Sequence, residues 1–221
     1  MHFKDRFQAG RFLAAELLDY KDRADVLVLA LPRGGVPVGS EVAHALRAPL
    51  DVLVVRKIGV PGFPELAMGA LAAGGVENIS GSTVAHFRLS PAHLQKVIDD
   101  ERKELQRREF RFRGNRPFPE VRGKVVILID DGLATGHTMD AAITAVRRQG
   151  PQEVIIAVPV GARETCRLLT GGVNKVICLC TPAHFDAVGA FYLDFHQVTD
   201  DEVEALLRKA CGDVADVSAL S

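Results

Sequence analysis

The chain has 221 residues, a length that suits one α/β domain or one domain with a small appendage. Hydrophobic residues make up 48% and charged residues 25%, as in an ordinary globular protein, so a chain of this length can bury a full core without disulfides or metals. The formal net charge of -1 excludes a global electrostatic attraction to nucleic acid or to a membrane surface.

The start of the chain mixes acidic and basic side chains ahead of any apolar run, which does not resemble a signal peptide. No apolar stretch approaches the length needed to span a bilayer. Four cysteines lack the spacing of a zinc site, and we interpret them as structural thiols rather than as metal ligands or disulfides: Cys166, Cys178, Cys180 and Cys211. These features predict a cytoplasmic protein with no membrane partner.

Short apolar runs rich in β-branched residues predict buried parallel strands. These runs lie at residues 26–31, 52–55, 125–129, 154–158 and 173–179. Apolar residues at helical spacing predict helices between most of them. The helical patterns cover residues 7–18, 36–46, 139–146 and 163–169. Strands that alternate with helices predict an α/β fold with a mainly parallel central sheet flanked by helices.

Residues 56–80 interrupt this alternation. They are rich in glycine and proline, and residues 67–73 followed by Gly74 and Gly75 predict a hairpin with its turn. We therefore expect a flexible flap beside the sheet.

A long polar helix is predicted after the flap, as an insertion over about residues 90–113. Ser90 suits the N-cap and Pro91 the first turn, and the helical pattern continues to about residue 112. Five acids within residues 99–109 nearly cancel the basic end, so a solvated or subunit-contacting helix is favoured over a nucleic-acid patch. We expect residues 1–221 to form a single domain that could assemble as a homodimer.

The most informative segment follows the strand predicted at residues 125–129. Two adjacent acids, Asp130 and Asp131, precede a loop of small residues, after which a helix begins. Ligands of open α/β sheets bind at the carboxyl ends of strands, and small residues at a helix start let backbone N–H groups approach an anion. The alternative is an acid pair that only caps the helix. The combination favours a phosphate on the loop and a sugar diol on the acids. The loop residues are Gly132, Leu133, Ala134, Thr135, Gly136, His137 and Thr138.

This stretch resembles the phosphoribosyl pyrophosphate signature of type I phosphoribosyltransferases. The resemblance implies that Asp130 and Asp131 hold the ribose hydroxyls, that Asp131 takes part in catalysis, and that residues 132–138 hold the 5-phosphate. The segment is not a Walker loop, because the Lys-[Ser/Thr] ending is missing. The resemblance covers roughly residues 3–207 and extends to predicted bacterial phosphoribosyltransferases of unassigned acceptor.

Two further segments fit the same family. Arg33, Gly34 and Gly35 resemble its pyrophosphate-binding loop, although a plain glycine turn is the alternative. Arg56 and Lys57 resemble the Arg-Lys strand end and flexible loop of several members, where paired cations would stabilise the departing pyrophosphate. Solvated cations at a strand end are the alternative for this pair.

Residues of the acid loop and of the C-terminal segment bear on the acceptor. Ala134 stands where hypoxanthine-guanine enzymes carry an aspartate that exchanges a proton with the purine, which argues against that subclass. His137 is more simply a helix-start residue than a proton donor. Residues 181–197 are predicted to form a C-terminal hood, in which Phe185 and Tyr192 could stack on a planar acceptor. Packing of these rings on the sheet or on a partner subunit is the alternative.

We predict transfer of a phosphoribosyl group from phosphoribosyl pyrophosphate to a nitrogenous acceptor, with release of pyrophosphate. The resemblance implies Mg²⁺ bound through the ligand near Asp130 and Asp131, with no direct protein site. The alternative function is a non-catalytic regulator that binds phosphoribosyl pyrophosphate or a nucleotide. A dinucleotide-binding oxidoreductase is disfavoured because no G-x-G-x-x-G follows the first strand. The expected partners are small molecules and not nucleic acids.

Overall fold

The computed structural model describes residues 1–218, except for the side chains of Pro64, Glu65 and residues 211–218. In chain order its strands are β1 (Val26–Ala30), β2 (Leu50–Val52), β3 (Val55–Val60), β4 (Phe63–Ala72), β5 (Val76–Ile79), β6 (Val125–Ile129), β7 (Glu153–Val160) and β8 (Lys175–Cys180). Its helices are α1 (Arg6–Ala15), α2 (Gly35–Leu46), α3 (Gly81–His86), α4 (Pro91–Arg113), α5 (His137–Arg147), α6 (Arg163–Leu169) and α7 (Asp200–Ser218). Short 3₁₀ turns lie at Leu18–Tyr20, Thr170–Gly172 and Val188–Phe191.

Five of the described strands form one parallel sheet in the order β2–β1–β6–β7–β8. Successive side chains of β1 point to opposite faces, so Val28 belongs to one apolar cluster and Leu29 to the other. Residues of α1, α2 and α7 complete the first cluster, and residues of α5 and α6 complete the second. The predicted α/β fold with a mainly parallel sheet flanked by helices is confirmed.

The strand predicted at residues 52–55 corresponds to two observed strands. β2 begins at Leu50, and β3 begins at Val55 in a different sheet. The prediction missed the start of β2 because Asp51 interrupts its apolar character. Asp51 is nevertheless 8% exposed, because the Nε of Arg113 donates a hydrogen bond to its Oδ1 at 3.2 Å. A buried charge is tolerated where it is paired in this way.

A second, antiparallel sheet of β3, β4 and β5 occupies most of the predicted flap. The predicted turn at Gly74 and Gly75 is confirmed, since it joins β4 to β5 and both glycines have positive φ, at 80° and 76°. α4 packs against β3 and β4, and α5 packs against all three strands. The flap is therefore a packed layer in the structure, and its flexibility stays a prediction.

The long helix α4 begins where it was predicted. Ser90 is its N-cap, with Oγ accepting the His93 N–H at 3.3 Å, and Pro91 is the first helical residue. At the other end Arg113 is 5% exposed, and its Nη2 donates to the carbonyl of Val52 at 2.9 Å. The buried arginine therefore fixes the end of α4 to β2.

The middle of α4 carries a carboxylate with two cationic neighbours. Glu104 accepts hydrogen bonds from the Nε atoms of Arg107 and Arg108, each at 2.8 Å. These two guanidinium groups lower the pKa of Glu104 to about 2. Because the pKa is lowered in the folded protein, the pairs stabilise it above the ordinary pKa of 4.5, and this contribution is lost as the pH falls toward 2.

We predict that NMR titration of the Glu104 carboxyl carbon will report a pKa of about 2. In the double variant Arg107→Gln/Arg108→Gln the pKa should return toward 4.5, because both donors are lost. The accompanying change in stability should be small, since the Arg107 side chain is 62% exposed. An unchanged pKa in the double variant would contradict the assignment.

Cys166, Cys178 and Cys180 are free thiols, and the side chain of Cys211 lies outside the described residues. Cys178 Sγ donates to the carbonyl of Cys180 at 3.2 Å. Among the described helices, none combines the length and the apolar character needed to cross a membrane.

Candidate functional site

Two loops meet at the carboxyl edge of the parallel sheet. The acid loop (residues 130–138) follows β6, and the glycine loop (residues 31–35) follows β1, its neighbour in the sheet. The N–H of Leu31 donates to the carbonyl of Ile129 at 2.8 Å, so the two loops leave the sheet side by side. Ligands of open α/β sheets bind at this edge. The structure therefore brings together two of the three segments that the sequence singled out.

The glycines of the glycine loop permit contacts that a side chain would block. A Cβ at Gly35 would lie 2.7 Å from a backbone oxygen of β6, and one at Gly34 would lie 2.0 Å from Asp131 Oδ2. The peptide bond between Pro32 and Arg33 is cis. The two glycines therefore do more than turn the chain, because they seat the glycine loop directly against the acid pair.

The acid loop is anchored at its start and open at its end. Leu133 is buried, its N–H donates to the carbonyl of Val160 at 2.9 Å, and its carbonyl accepts the N–H of Ala162 at 2.8 Å. The first-turn N–H groups of α5, which begins at His137, lack intrahelical acceptors and favour negative charge. The open end of the loop can therefore bind an anion. Its exposed residues are Ala134, Thr135, His137 and Thr138.

The two acids have different surroundings. Asp130 Oδ1 accepts the N–H of Asp131 at 2.8 Å. Burial of the Asp130 carboxyl raises its pKa well above the ordinary value, and the charge of Asp131 raises it further. Asp131 is held by residues from outside the loop: Arg6 Nε donates to its Oδ2 at 2.8 Å, and the Tyr192 hydroxyl donates to its carbonyl at 2.7 Å. Asp131 is thus the fixed acid, and Asp130 is the desolvated one.

Arg6 was not identified from the sequence. It is the first residue of α1 and is 7% exposed. Its guanidinium carbon lies 3.8 Å from the centre of the Phe195 ring, and its Nη1 donates to the carbonyl of His196 at 2.9 Å. These partners are too distant in the chain to leave a local pattern, since Asp131 is 125 positions away and His196 is 190. From its position in the sequence, next to the helix-capping Asp5, the Arg6 side chain would instead be predicted to be exposed.

A cavity of about 210 Å³ also borders Arg6. His196 lies on its wall between two carboxylates, with Nδ1 3.1 Å from Asp194 Oδ1 and Nε2 3.3 Å from Glu202 Oε1. These carboxylates raise the pKa of His196, Asp194 having the larger effect. Arg6 therefore borders both this cavity and the acid loop. The apolar part of the wall includes Phe7, Pro37, Val198, Ala205 and Leu206.

The hood (residues 181–197) covers the start of the acid loop, since a Cβ at Gly132 would lie 2.6 Å from a methyl of Val188. The hood residue Tyr192 is 6% exposed. Its ring centre lies 5.5 Å from that of Phe3 and 5.1 Å from that of Phe195. The ring is thus packed among other rings and is not open to a planar ligand in this structure, so its acceptor role stays a prediction.

The second predicted acceptor residue, Phe185, is half-buried. It stacks on Phe191, with 5.7 Å between ring centres and 17° between planes, and Phe191 stacks in turn on His2 at 5.9 Å. The backbone joins the same region to the chain start: the N–H of Phe3 donates to the carbonyl of Phe191 at 2.8 Å, and the N–H of Leu193 donates to the carbonyl of Phe3 at 2.9 Å. The first residues of the chain therefore pack as part of the hood.

Arg33 of the glycine loop faces the start of α7. Its Nη1 lies 3.5 Å from Asp200 Oδ1, and both side chains are 39% exposed. A polar cleft of about 300 Å³ is lined by Arg33 and residues 197–201. The cation is therefore accessible, and an anionic ligand could replace its acidic partner.

Arg56 and Lys57 lie on β3 and point to opposite faces of the antiparallel sheet. Arg56 Nε donates to Glu101 Oε2 of α4 at 2.8 Å, whereas Lys57 is exposed. The structure therefore pairs Arg56 with α4 and leaves Lys57 exposed on the other face of the sheet. Their catalytic assignment stays a prediction.

Comparisons with known proteins agree with this architecture. A family model described as a phosphoribosyl transferase domain matches residues 2–196. Two proteins of Mycobacterium tuberculosis, from strains CDC 1551 and H37Rv, each carry the name "Putative phosphoribosyl transferase" and are 46% identical over 218 residues. The match covers 99% of this chain but 49% of theirs, so the chain spans about half the length of these curated relatives.

A solved structure resembles the chain over nearly its whole length. The protein TT1426 from Thermus thermophilus is 42% identical, with a TM-score of 0.84, and the match covers 95% of this chain and 99% of that one. A purine phosphoribosyltransferase from Pyrococcus horikoshii is 20% identical, with a TM-score of 0.45 and coverage of 78% and 81%. The second similarity is too distant to support an argument about function.

Proposed function

Because this chain belongs to the phosphoribosyltransferase family, we propose that it transfers the phosphoribosyl group of phosphoribosyl pyrophosphate to a nitrogenous acceptor and releases pyrophosphate. One observation carries the proposal: the exposed end of the acid loop, the carboxylate of Asp131 and the glycine loop lie at one edge of the sheet. An anion site, a carboxylate and a second anion site suit a ligand with a phosphate, a diol and a pyrophosphate.

Each part of this site would contact a different part of the ligand. The N–H groups at the start of α5, with the hydroxyls of Thr135 and Thr138, would bind the 5-phosphate. Asp131 would accept hydrogen bonds from the ribose hydroxyls. Arg33 would exchange Asp200 for the pyrophosphate. As the bond to the anomeric carbon loosens, Lys57 would balance the growing charge on the leaving group.

The residues present fit a magnesium ion held mainly by the ligand. Mg²⁺ in phosphate-transfer sites is usually bound by one or two carboxylates together with substrate oxygens and water. Asp130 and Asp131 would lie beside such an ion, which the oxygens of the ligand would hold. Within the part of the chain that the structure describes, no group of three or more acidic, histidine or cysteine side chains could hold a metal on its own. When bound, the ion would neutralise charge on the pyrophosphate.

The hood is the element that would face the acceptor. Phe185 has one ring face stacked on Phe191 and is only half-buried, so it is better placed than Tyr192 to stack on a planar base. Ala134 is exposed on the acid loop and cannot exchange a proton, so proton transfer with the acceptor would fall to another group. We propose a nitrogenous base or a related compound as the acceptor.

The test is pyrophosphate release from phosphoribosyl pyrophosphate and Mg²⁺ in the presence of a panel of purines, pyrimidines, pyridine carboxylates and amines. We expect release with one class of acceptor and a background rate with the others. Tight binding of phosphoribosyl pyrophosphate without release for any acceptor would support the regulatory alternative. Absence of binding would reject both functions.

We predict that Gly34→Ala weakens ribose 5-phosphate binding about tenfold, close to 1.4 kcal/mol. Gly34 has φ of -60° and ψ of -33°, which alanine adopts freely, so backbone strain does not explain a loss. The new Cβ would lie 2.0 Å from Asp131 Oδ2 and would displace the carboxylate. Isothermal titration calorimetry measures the effect. Gly171→Ala is the matched control, since its Cβ would meet nothing within 4 Å, and an equal loss there would contradict the prediction.

A further inference from the structure

Arg6 combines burial with three contacts, one to the acid loop and two to the hood. Its side chain is 8% exposed, although arginine is rarely buried unless it is paired. Nε donates to Asp131 Oδ2, Nη1 donates to the carbonyl of His196, and the guanidinium lies over the face of Phe195. The arginine is therefore held in one orientation by the hood, and it presents one N–H to the acid that would bind the sugar.

Asp131 is in turn fixed on three sides. The Tyr192 hydroxyl holds its backbone carbonyl and Arg6 holds Oδ2. Gly34 lies so close to the same oxygen that a Cβ there would come within 2.0 Å of it. Arg6 engages Oδ2, so Oδ1 is the oxygen that would accept a hydrogen bond from a ligand. A carboxylate that is already oriented loses less side-chain entropy when it binds.

We propose, on the basis of the function proposed above, that Arg6 is a positioning residue for sugar recognition: it orients the Asp131 carboxylate toward the ribose diol from outside the acid loop. It touches neither substrate nor leaving group. Its effect on binding passes through Asp131 alone, and the hood controls that effect through Phe195 and His196.

Two ligands separate this role from a merely structural one. Ribose 5-phosphate carries the 2,3-diol, whereas 2,3-dideoxyribose 5-phosphate carries the same phosphate without it. If Arg6 positions Asp131, Arg6→Gln should weaken the binding of ribose 5-phosphate about tenfold, or 1.4 kcal/mol. Binding of the dideoxy compound should change less than about twofold, because its phosphate contacts the open end of the acid loop. Calorimetric titration of both ligands provides the comparison.

A double-mutant cycle adds a second readout. Once Asp131→Asn has removed the carboxylate, adding Arg6→Gln should cost no further affinity for ribose 5-phosphate, since coupled residues do not act additively. Arg6→Lys keeps one charged donor and should recover part of the affinity. Arg11→Gln is the matched control, because Arg11 lies on the same helix with a 57% exposed side chain.

Equal losses for the two ligands, or additive losses in the cycle, would overturn the positioning role even if the protein is a transferase. If Arg6→Gln does not fold, the Arg6→Lys variant and its ligand ratio decide the question. Failure of the proposed function has a different signature, namely that the unmodified protein binds neither ribose 5-phosphate nor phosphoribosyl pyrophosphate. That outcome would remove both proposals together.

Discussion

Asp131→Asn should weaken the binding of ribose 5-phosphate by about 100-fold, because hydrogen bonds to a charged group contribute about 1.5–3 kcal/mol each. The asparagine side chain is uncharged and has only one acceptor oxygen. Because Arg6 donates to Oδ2 in the unmodified protein, we expect it to occupy this oxygen in the variant. The sugar hydroxyls would then meet an NH₂ group in place of a carboxylate. Calorimetric titration of ribose 5-phosphate measures the loss.

The fold should survive this substitution. Asparagine can still accept the Arg6 hydrogen bond, and the Tyr192 hydroxyl bonds to the backbone of residue 131, which the substitution does not alter. Thermal unfolding followed by circular dichroism checks this point. Asp186→Asn, a change at an exposed carboxyl of the hood, is the control and should leave the affinity unchanged. Unchanged affinity in Asp131→Asn would mean that the acid pair has another task.

Lys57→Ala should slow pyrophosphate release about 100-fold, in the range found when one charge-stabilising donor is removed from an active site. The expected reason is that the cation acts on the leaving group, whose negative charge grows only as the bond breaks. Binding of ribose 5-phosphate, which lacks the pyrophosphate, should change less than about threefold. Single-turnover release of pyrophosphate and calorimetry provide the two measurements.

A comparable loss in both measurements would place Lys57 at the sugar or phosphate instead of the leaving group. Lys103→Ala is a suitable control, since Lys103 is on α4 with a 77% exposed side chain, paired with Asp100 at 3.6 Å. The variant Arg56→Ala tests the neighbouring cation. Because Arg56 is paired with Glu101, its removal should affect the contact between β3 and α4.

The sequence was most informative where the structure is locally determined. The strand at Val125–Ile129, the two acids, the small-residue loop and the following helix are consecutive, so their pattern and order predicted an anion site at a strand end. The glycine loop was found for the same reason. Both loops lie where parallel topology places them, and that topology followed from the alternation of apolar runs with helices.

Contacts between distant parts of the chain could not be predicted in this way. Nothing near Arg6 in the sequence indicates Asp131, and nothing near Asp51 indicates Arg113. Both buried pairs depend on which elements pack together, and both place a charge where local pattern predicts either solvent or an apolar residue. The packing of the Tyr192 ring in the hood has the same origin.

Helix α7 was missed although a local signal was present. Thr199 and Glu202 form a capping box: the Thr199 N–H donates to Glu202 Oε2 at 2.6 Å, and the Glu202 N–H donates to Thr199 Oγ1 at 3.2 Å. The spacing of threonine and glutamate, followed by apolar residues at helical intervals, predicts a helix start.

The pairing of Phe3 with the hood has a consequence for synthesis of the protein. A ribosome releases the glycine loop and the acid loop well before it releases Tyr192. The hydroxyl of Tyr192 holds Asp131, and its backbone forms a bridge with Phe3. Until then the nascent chain has its acid loop but lacks the hood residues that fix Asp131. Ligand could therefore help folding only at a late stage, when the segment ending at His196 has emerged and closed against Phe3 and Arg6.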